Sequence, residues 1–485
     1  MSDTTETRPV GLDEMVEAPA EGAAIPPAPP APAATTRAGA WSWWWQGLRP
    51  LVLRLHFYAG LLVGPFLLVA ATTGLLYTLT PQLEQLVYRH ELTVPVGARA
   101  LPLQQQVAAA AAALPQGTLT AIRPPGTPGG TTRVVFAAPG LADGYSRTVF
   151  VDPYTAQVRG ALTTYGEWLP LRAWFDELHR TLHLGDVGRV YSELAASWLW
   201  VLTLSGLGIW VIRRRRAERL RRTLAPEFAA TRRVRLRSWH GSVGLWASAG
   251  LLFLSATGLT WSHFAGDNVS ALRSALHWST PSVTKTLPPT PTTAAAPPAA
   301  AAGTVGIGAT ADRVLAAARS EGLTDPVQIT PASKPGQAWV VAQVQRSWPE
   351  KQDSVAVDPN TGTVVDVLRF ADWPIAAKLA RWGIDTHMGL LFGVVNQILL
   401  AALALGLICV VIWGYRMWWL RRPTPGGLAG APGGNQRPSL GAVIVIGVLA
   451  VGVGLFEPVL GCSLLVFLAI DGIRSHLRTG SGSRV

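Results

Sequence analysis

Five apolar runs, at about residues 51–79, 192–212, 241–262, 390–415 and 440–472, constrain this chain more than any other feature. A helix needs about 20 apolar residues to cross ~30 Å of hydrocarbon, and the first four runs meet that length. The fifth is too long for one straight helix and contains Glu457-Pro458. Proline in mid-helix removes a hydrogen bond and kinks or ends the helix. Two short helices are therefore expected there, with one broken helix as the alternative. The bundle then has five or six membrane helices. Composition agrees: 49% of residues are hydrophobic and 14% charged, against roughly 25% charged in a soluble domain.

The chain carries 41 Lys+Arg against 29 Asp+Glu, a net charge of +12, which read alone suggests a nucleic-acid partner. Its placement argues against one. Residues 213–237 hold eleven Arg and two Glu, and Arg416, Arg421, Arg422 and Arg437 follow the fourth span. Arginine-rich connections stay in the cytoplasm. The first span then runs from inside to outside, and the long connections at about 80–190 and 263–386 face outward. Those two are nearly neutral, with nine basic and eight acidic residues in the first and ten of each in the second. Residues 1–40 combine acidic residues with PPAPPAPAA and lack apolar periodicity, which predicts a disordered tail and no cleavable signal. The Ala/Pro stretch 288–302 reads as a linker.

The sequence repeats itself. LHFYAGLLVGPFLLVAATTGLLY (55–77) matches WHGSVGLWASAGLLFLSATGLTW (239–261), aligning His56 with His240, Gly60 with Gly244 and Thr73-Gly74 with Thr257-Gly258. VDPYTAQV (151–158) matches VDPNTGTV (357–364), and TLHLG (181–185) matches DTHMG (385–389), pairing His183 with His387. Each outward segment has a helix, at 103–113 or 311–320, followed by strand-like runs around a turn, so each reads as a small α+β domain. The spans repeat in the same direction, which predicts a four-helix core about a pseudo-twofold axis along the membrane normal.

Four of the nine histidines thus form two repeat-related pairs at helix ends. Imidazoles facing each other across a bundle suit the two axial positions of one haem. Gly60 and Gly244 lie one turn beyond His56 and His240 on the same face, where a missing side chain leaves room for a flat macrocycle. His179, one turn before His183, is a second-rank ligand or an outer-shell group. His263 has no repeat partner, and His90, His277 and His476 are expected in solvent. The two Cys and four Met disfavour a copper or zinc transport site. GTVGIG (303–308) has the wrong spacing for a phosphate loop.

These residues resemble the PepSY-associated transmembrane family, often described as iron-regulated membrane proteins and including inner-membrane siderophore reductases. The likeness spans roughly 50–472. Its specific parts include LHRTLHLGDVGRVYSELAASWLWVLTLSGLGIW and PVLGCSLLVFLAIDG besides the repeated segments above. The resemblance implies an α-helical membrane protein with two periplasmic PepSY-like α+β domains on a bundle that binds haem b. Its segments are a cytoplasmic tail (1–48), helix 1 (49–79), PepSY-like domain 1 (80–178), helix 2 (179–212), a basic loop (213–238), helix 3 (239–262), PepSY-like domain 2 (263–380), helix 4 (381–416) and the C-terminal helix or hairpin (440–473).

The expected activity is a transmembrane oxidoreductase of the bacterial inner membrane. Two haem b groups, on His56/His240 and on His183/His387, would pass electrons to a ferric siderophore or another ferric complex in the periplasm. No nucleotide-binding domain is apparent, so the donor is a cytoplasmic partner, a quinol or a flavin. The alternatives are a cytochrome b-type oxidoreductase acting on a substrate other than iron, or a non-redox PepSY sensor or peptidase regulator.

Overall fold

A computed structural model describes residues 38–214, 224–287, 304–421 and 440–481. The chain divides into two units, 1–46 and 47–485. The first is described only over a helical stretch from Ala38; the membrane spans and the sheet belong to the second. The acidic tail up to residue 37, the linker 288–302 and much of the basic loop lie outside the described residues. Helix α1 begins at Ala38, so the end of the stretch expected to lack structure is helical. The proline tract has ended by then, and Ala, Trp, Gln and Leu all tolerate a helix.

Four helices are long and apolar enough to cross a membrane among the described residues: Leu48–Tyr77 of α1, Gly185–Val211 of α6, Arg232–Leu259 (α7) and Gly393–Trp419 of α11. Each is apolar on most of its circumference, so its outward face needs lipid rather than protein. The inward faces meet in a core that includes Ala59, Val63, Leu67, Trp198, Leu251 and Leu407. The fifth run forms α12 (Leu440–Phe456) and α13 (Pro458–Ser481). A Cβ on Gly461 would lie 2.7 Å from the Gly454 carbonyl oxygen. Residues seven apart touch only if the chain doubles back, so this is a hairpin turning at Glu457-Pro458. Trp200 Nε1 donates to Glu457 Oε2 (3.2 Å) and Trp198 Nε1 to Ser463 Oγ (2.9 Å), which ties the hairpin to α6.

The two long connections contribute four strands each. Their strands join into one antiparallel sheet in the order β4-β3-β2-β1-β5-β6-β7-β8. The first four are Thr118–Arg123, Thr132–Ala137, Tyr145–Val151 and Val158–Tyr165; the others are Val327–Thr330, Trp339–Gln343, Ser354–Val357 and Val364–Leu368. The seam is β1 against β5, with Ile122 opposite Ile329. Separate domains would each leave an unpaired inner edge, a surface that seeks another strand; pairing the two removes both. Helices α4 (Leu103–Ala113) and α9 (Thr304–Ser320) cover one face, burying Val107, Ala110, Val314 and Ala318 against Ile122, Val134, Ile329 and Val341. Asp312 of α9 accepts from the Leu103 and Gln104 amides (2.8 and 3.0 Å), capping α4 with a residue of the other half. Gly306 and Gly308 of GTVGIG lie in α9, and Gly303 lies outside the described residues. The other face of the sheet meets α3 (Arg89–Leu92) and the start of the helix α5 (Pro170–Thr181), through Phe150, Leu92 and Leu169, and α2 (Thr80–Val87) packs on α3 and α5.

The repeated turns agree in detail. Asp152 Oδ1 accepts from the Tyr154 amide and Asp358 Oδ1 from the Asn360 amide, both at 2.8 Å. Where the second turn places Gly362 at φ +77, the first places Ala156 at φ +57. A left-handed alanine costs on the order of 1 kcal/mol, so the fold imposes this turn on a residue that does not favour it.

Candidate histidine sites

His56 near the start of the α1 span and His240 of α7 face each other with ring centres 6.2 Å apart and planes at 86°. His240 Nδ1 lies 2.9 Å from the Val410 carbonyl on α11. A carbonyl only accepts, so Nδ1 carries the proton and Nε2 keeps its lone pair. His56 Nδ1 lies 2.9 Å from Ser205 Oγ on α6. The Ser205 hydroxyl proton goes to the Leu202 carbonyl (3.0 Å), so the serine oxygen accepts from His56 Nδ1–H. A Cβ on Gly206 would meet His56 Cε1 at 3.2 Å, and one on Gly414 would meet His240 Cε1 at 3.7 Å, so these glycines seat the two rings. Gly244 faces open space to 4 Å, and Gly60 has only Leu202 Cδ2 at 3.9 Å.

At the other end of the bundle the pairing differs from the expected one. His183 lies exposed beyond the end of α5, in a left-handed conformation (φ +57), its ring 4.9 Å from that of Trp174. His179 of α5 and His387, the last residue of α10 (Ile375–His387), are the equivalent residues. His179 Nδ1 meets Thr73 Oγ1 at 2.9 Å, and His387 Nδ1 meets Thr257 Oγ1 at 2.6 Å. The two threonines are repeat mates. Each also donates its hydroxyl proton to a carbonyl of its own helix, Thr73 to Val69 (3.0 Å) and Thr257 to Phe253 (2.7 Å). Both therefore accept from Nδ1–H, and all four histidines share one tautomer. The next residue, Gly74 or Gly258, faces the same ring: a Cβ there would lie 3.1 Å from His179 Cε1 or 3.9 Å from His387 Cε1.

The TLHLG/DTHMG match is thus out of structural register by one helical turn. His179 and His387 each stand six residues before the glycine that opens the descending helix, Gly185 of α6 or Gly393 of α11. Aligning those glycines would have found the pair. The seats were also missed: Thr73, Thr257 and their glycines read as packing residues, while Ser205, Gly206, Val410 and Gly414 carry no motif. His263 is exposed with its ring on Phe264 (4.6 Å), and His90 meets Arg159 (3.0 Å).

Burial lowers the His179 pKa to about 4. Burial, and then the charge that His179 would carry, lower that of His387 to about 3. Both rings are neutral at pH 7, the form that ligates a metal. Beneath His387, buried Asp385 accepts from Arg346 Nε (2.6 Å) and pairs with Arg381 (2.9 Å). Arg346 also pairs with Glu167, which joins the sheet side of the structure to the helix bearing His387.

No cluster of three or more His, Cys, Asp or Glu suited to a bare metal ion occurs among the described residues. Two nitrogens per site suit a group that brings its own equatorial donors. Metal–imidazole bonds are about 2.0–2.1 Å and a ring nitrogen lies about 1.1 Å from its ring centre, so two rings on one metal stand about 6.3 Å apart. The 6.2 Å between His56 and His240 fits that requirement.

Four membrane helices in two parallel repeats, with part-buried histidine pairs at two levels and a shared eight-stranded platform, define a multi-pass membrane protein of PepSY type. The chain belongs to the family described as the PepSY-associated TM region, whose model matches residues 53–421. No curated protein matches it.

Proposed function

We propose that the protein is a transmembrane oxidoreductase of the bacterial inner membrane. In this reading the His56/His240 and His179/His387 pairs each hold a haem b, and electrons leave on the platform side, in the periplasm, for a ferric complex. The observation that carries the reading is four part-buried histidines arranged as two pairs, each with Nδ1 seated on an oxygen of a neighbouring helix. A histidine ligand that donates its second N–H to a fixed acceptor is oriented and made more basic. Here the acceptors are Ser205, the Val410 carbonyl, Thr73 and Thr257. Bound haem would supply the one-electron chemistry. The chain's own residues hold the rings and orient them. His56 and Thr73 stand seventeen residues apart on α1, about 25 Å of helix at 1.5 Å per residue, so the two sites lie at opposite ends of the bundle.

Purified protein should show a haem b absorption spectrum, and the dithionite-reduced form should reoxidise on adding a ferric siderophore. Protein without a haem signal sinks the reading. Haem-loaded protein that ferric complexes leave reduced sinks the iron half and keeps the electron-transfer half.

A further inference from the structure

The two halves of the sheet are alike in backbone and unlike in charge at one place. Arg123 of β1 stands directly opposite Arg133 of β2. The corresponding cross-strand pair in the second half is Thr330 and Val340. Like charges directly opposite each other on a sheet are destabilising, so this pair is a cost that the other half avoids. Ile122 and Val134 face α4 and α9. By strand alternation, Arg123 and Arg133 face the other way, toward α2.

Only one of the two arginines is served. Arg123 donates to Gln328 Oε1 (2.6 Å) and pairs with Glu167 (3.5 Å). Arg133 lies over the Phe150 ring, 5.8 Å from its centroid, and its guanidinium has no hydrogen bond or ion pair among the described residues. Burial, and then the charge of Arg123, hold its pKa below the usual guanidinium range. The two nearby acids are poor counter-ions. Glu84 is pushed up to about 7 by burial, and Glu167 is shared between Arg123 and Arg346.

Arg123 and Arg133 line a cavity of about 380 Å³ at the seam between the halves, walled by Pro124–Thr131, Glu167 and the Pro326–Val327 start of β5, with Gln85 of α2 also on its wall. Gln85 is exposed and its amide is also without a hydrogen bond among the described residues. A cavity near the small end of the ligand-pocket range of about 300–1,000 Å³ encloses a small polyacid but not a large hexadentate chelator. A guanidinium without a partner is matched by a carboxylate, which it can bind in bidentate fashion.

We propose that this cavity binds a small polycarboxylate anion seated on Arg133, and that a ferric chelate of such an acid is the iron complex it presents to the bundle. The chelate half rests on the function proposed above; the anion half does not. Glu167 lines the cavity and reaches Asp385, two residues before His387, through Arg346, so the cavity and the histidine pair nearest the platform share one ionic chain.

The test is calorimetry on the full-length protein in lipid nanodiscs, with iron-free citrate and ferric citrate as probes. Both should bind saturably. Losing a charge-assisted contact should weaken both about tenfold or more in Arg133→Gln, with Arg133→Lys in between. Gln85→Trp adds bulk at an exposed position and leaves Arg133 intact. It should block both probes while elution and melting stay as in the wild type, so a folding defect in the arginine variant does not decide the matter. Absence of citrate binding, or binding untouched by Arg133→Gln and Gln85→Trp, overturns the anion site. Binding of citrate but not of ferric citrate overturns the chelate half. Binding of both to protein without a haem signal leaves the cavity standing and removes the redox reading.

Discussion

His179 Nδ1 lies 2.9 Å from Thr73 Oγ1, a hydroxyl whose own proton is committed to the Val69 carbonyl. Thr257 and His387 repeat the arrangement in the second half. A hydroxyl that accepts from Nδ1–H holds the ring with Nε2 free. Valine has nearly the same shape and cannot accept. Thr73→Val and Thr257→Val should therefore keep the fold and loosen the ring. Outer partners of this kind are worth about 10- to 100-fold in metal affinity. Haem-to-protein ratios after competition with a haem-binding scavenger measure the effect. Unchanged retention in both variants would show that the threonines only pack the helix.

His183 and His179 are one helical turn apart and exchange roles between sequence and structure. Under the proposed two-haem reading, His179→Ala should remove the haem nearest the platform and halve the haem absorbance per protein, since one of two sites would be lost. His183→Ala removes an exposed ring resting on Trp174 and should leave the spectrum unchanged. The reverse result would restore the TLHLG/DTHMG correspondence.

Much of the bundle was legible because its constraint is local. A run of about 20 apolar residues states its own length and character, and the repeat of His56 and His240 at one offset survives because α1 and α7 are uninterrupted helices. The α5–α6 corner is harder. His179 and His183 stand either side of a break whose left-handed residues, Leu182 and His183 against Gly389 in the other half, shift the helical register between the repeats, so identical letters fall on different faces. The single sheet was not legible either. Nothing in β1 or β5 taken alone says that its free edge pairs with a strand roughly 200 residues away, and only the geometry of Ile122 opposite Ile329 shows it.

The platform-side histidines also predict a pH dependence for the haem-free protein. Their folded pKa values, about 4 and about 3, lie below the ordinary 6.5. Between those values the unfolded chain binds protons that the folded chain refuses, so stability rises with pH there. The contribution is present above pH 6.5 and is lost as pH falls toward 4 and then 3. One unit of such a shift is ~1.4 kcal/mol, so even a fraction of the full difference should lower the melting temperature visibly between pH 6.5 and 4.5. His179→Gln combined with His387→Gln should flatten that slope. A slope unchanged in the double variant would assign the acid sensitivity elsewhere.

Glu193 offers a prediction independent of any cofactor. Its side chain, 0% exposed on α6, accepts from the Phe264 amide (2.9 Å) and the Ala265 amide (3.0 Å) at the start of α8 (Phe264–Ala275). A carboxylate there satisfies two amide protons that a helix start leaves unpaired and favours the positive end of the helix dipole. Glu193→Ala leaves both amides without a partner in a buried place. Hydrogen bonds to a charged acceptor are worth about 1.5–3 kcal/mol each, so the melting temperature should fall by several degrees. Glu193→Gln keeps one carbonyl oxygen to accept and should recover part of that loss. The effect should reach the C-terminal hairpin as well, because Asn268 on the same helix α8 donates to the Phe456 carbonyl (2.9 Å) at the hairpin turn. Cysteine labelling at Cys462, which is exposed in α13, reports that coupling: its rate should rise in Glu193→Ala and stay near wild type in Glu193→Gln. Equal labelling in all three proteins would mean that α8 holds its position without the carboxylate.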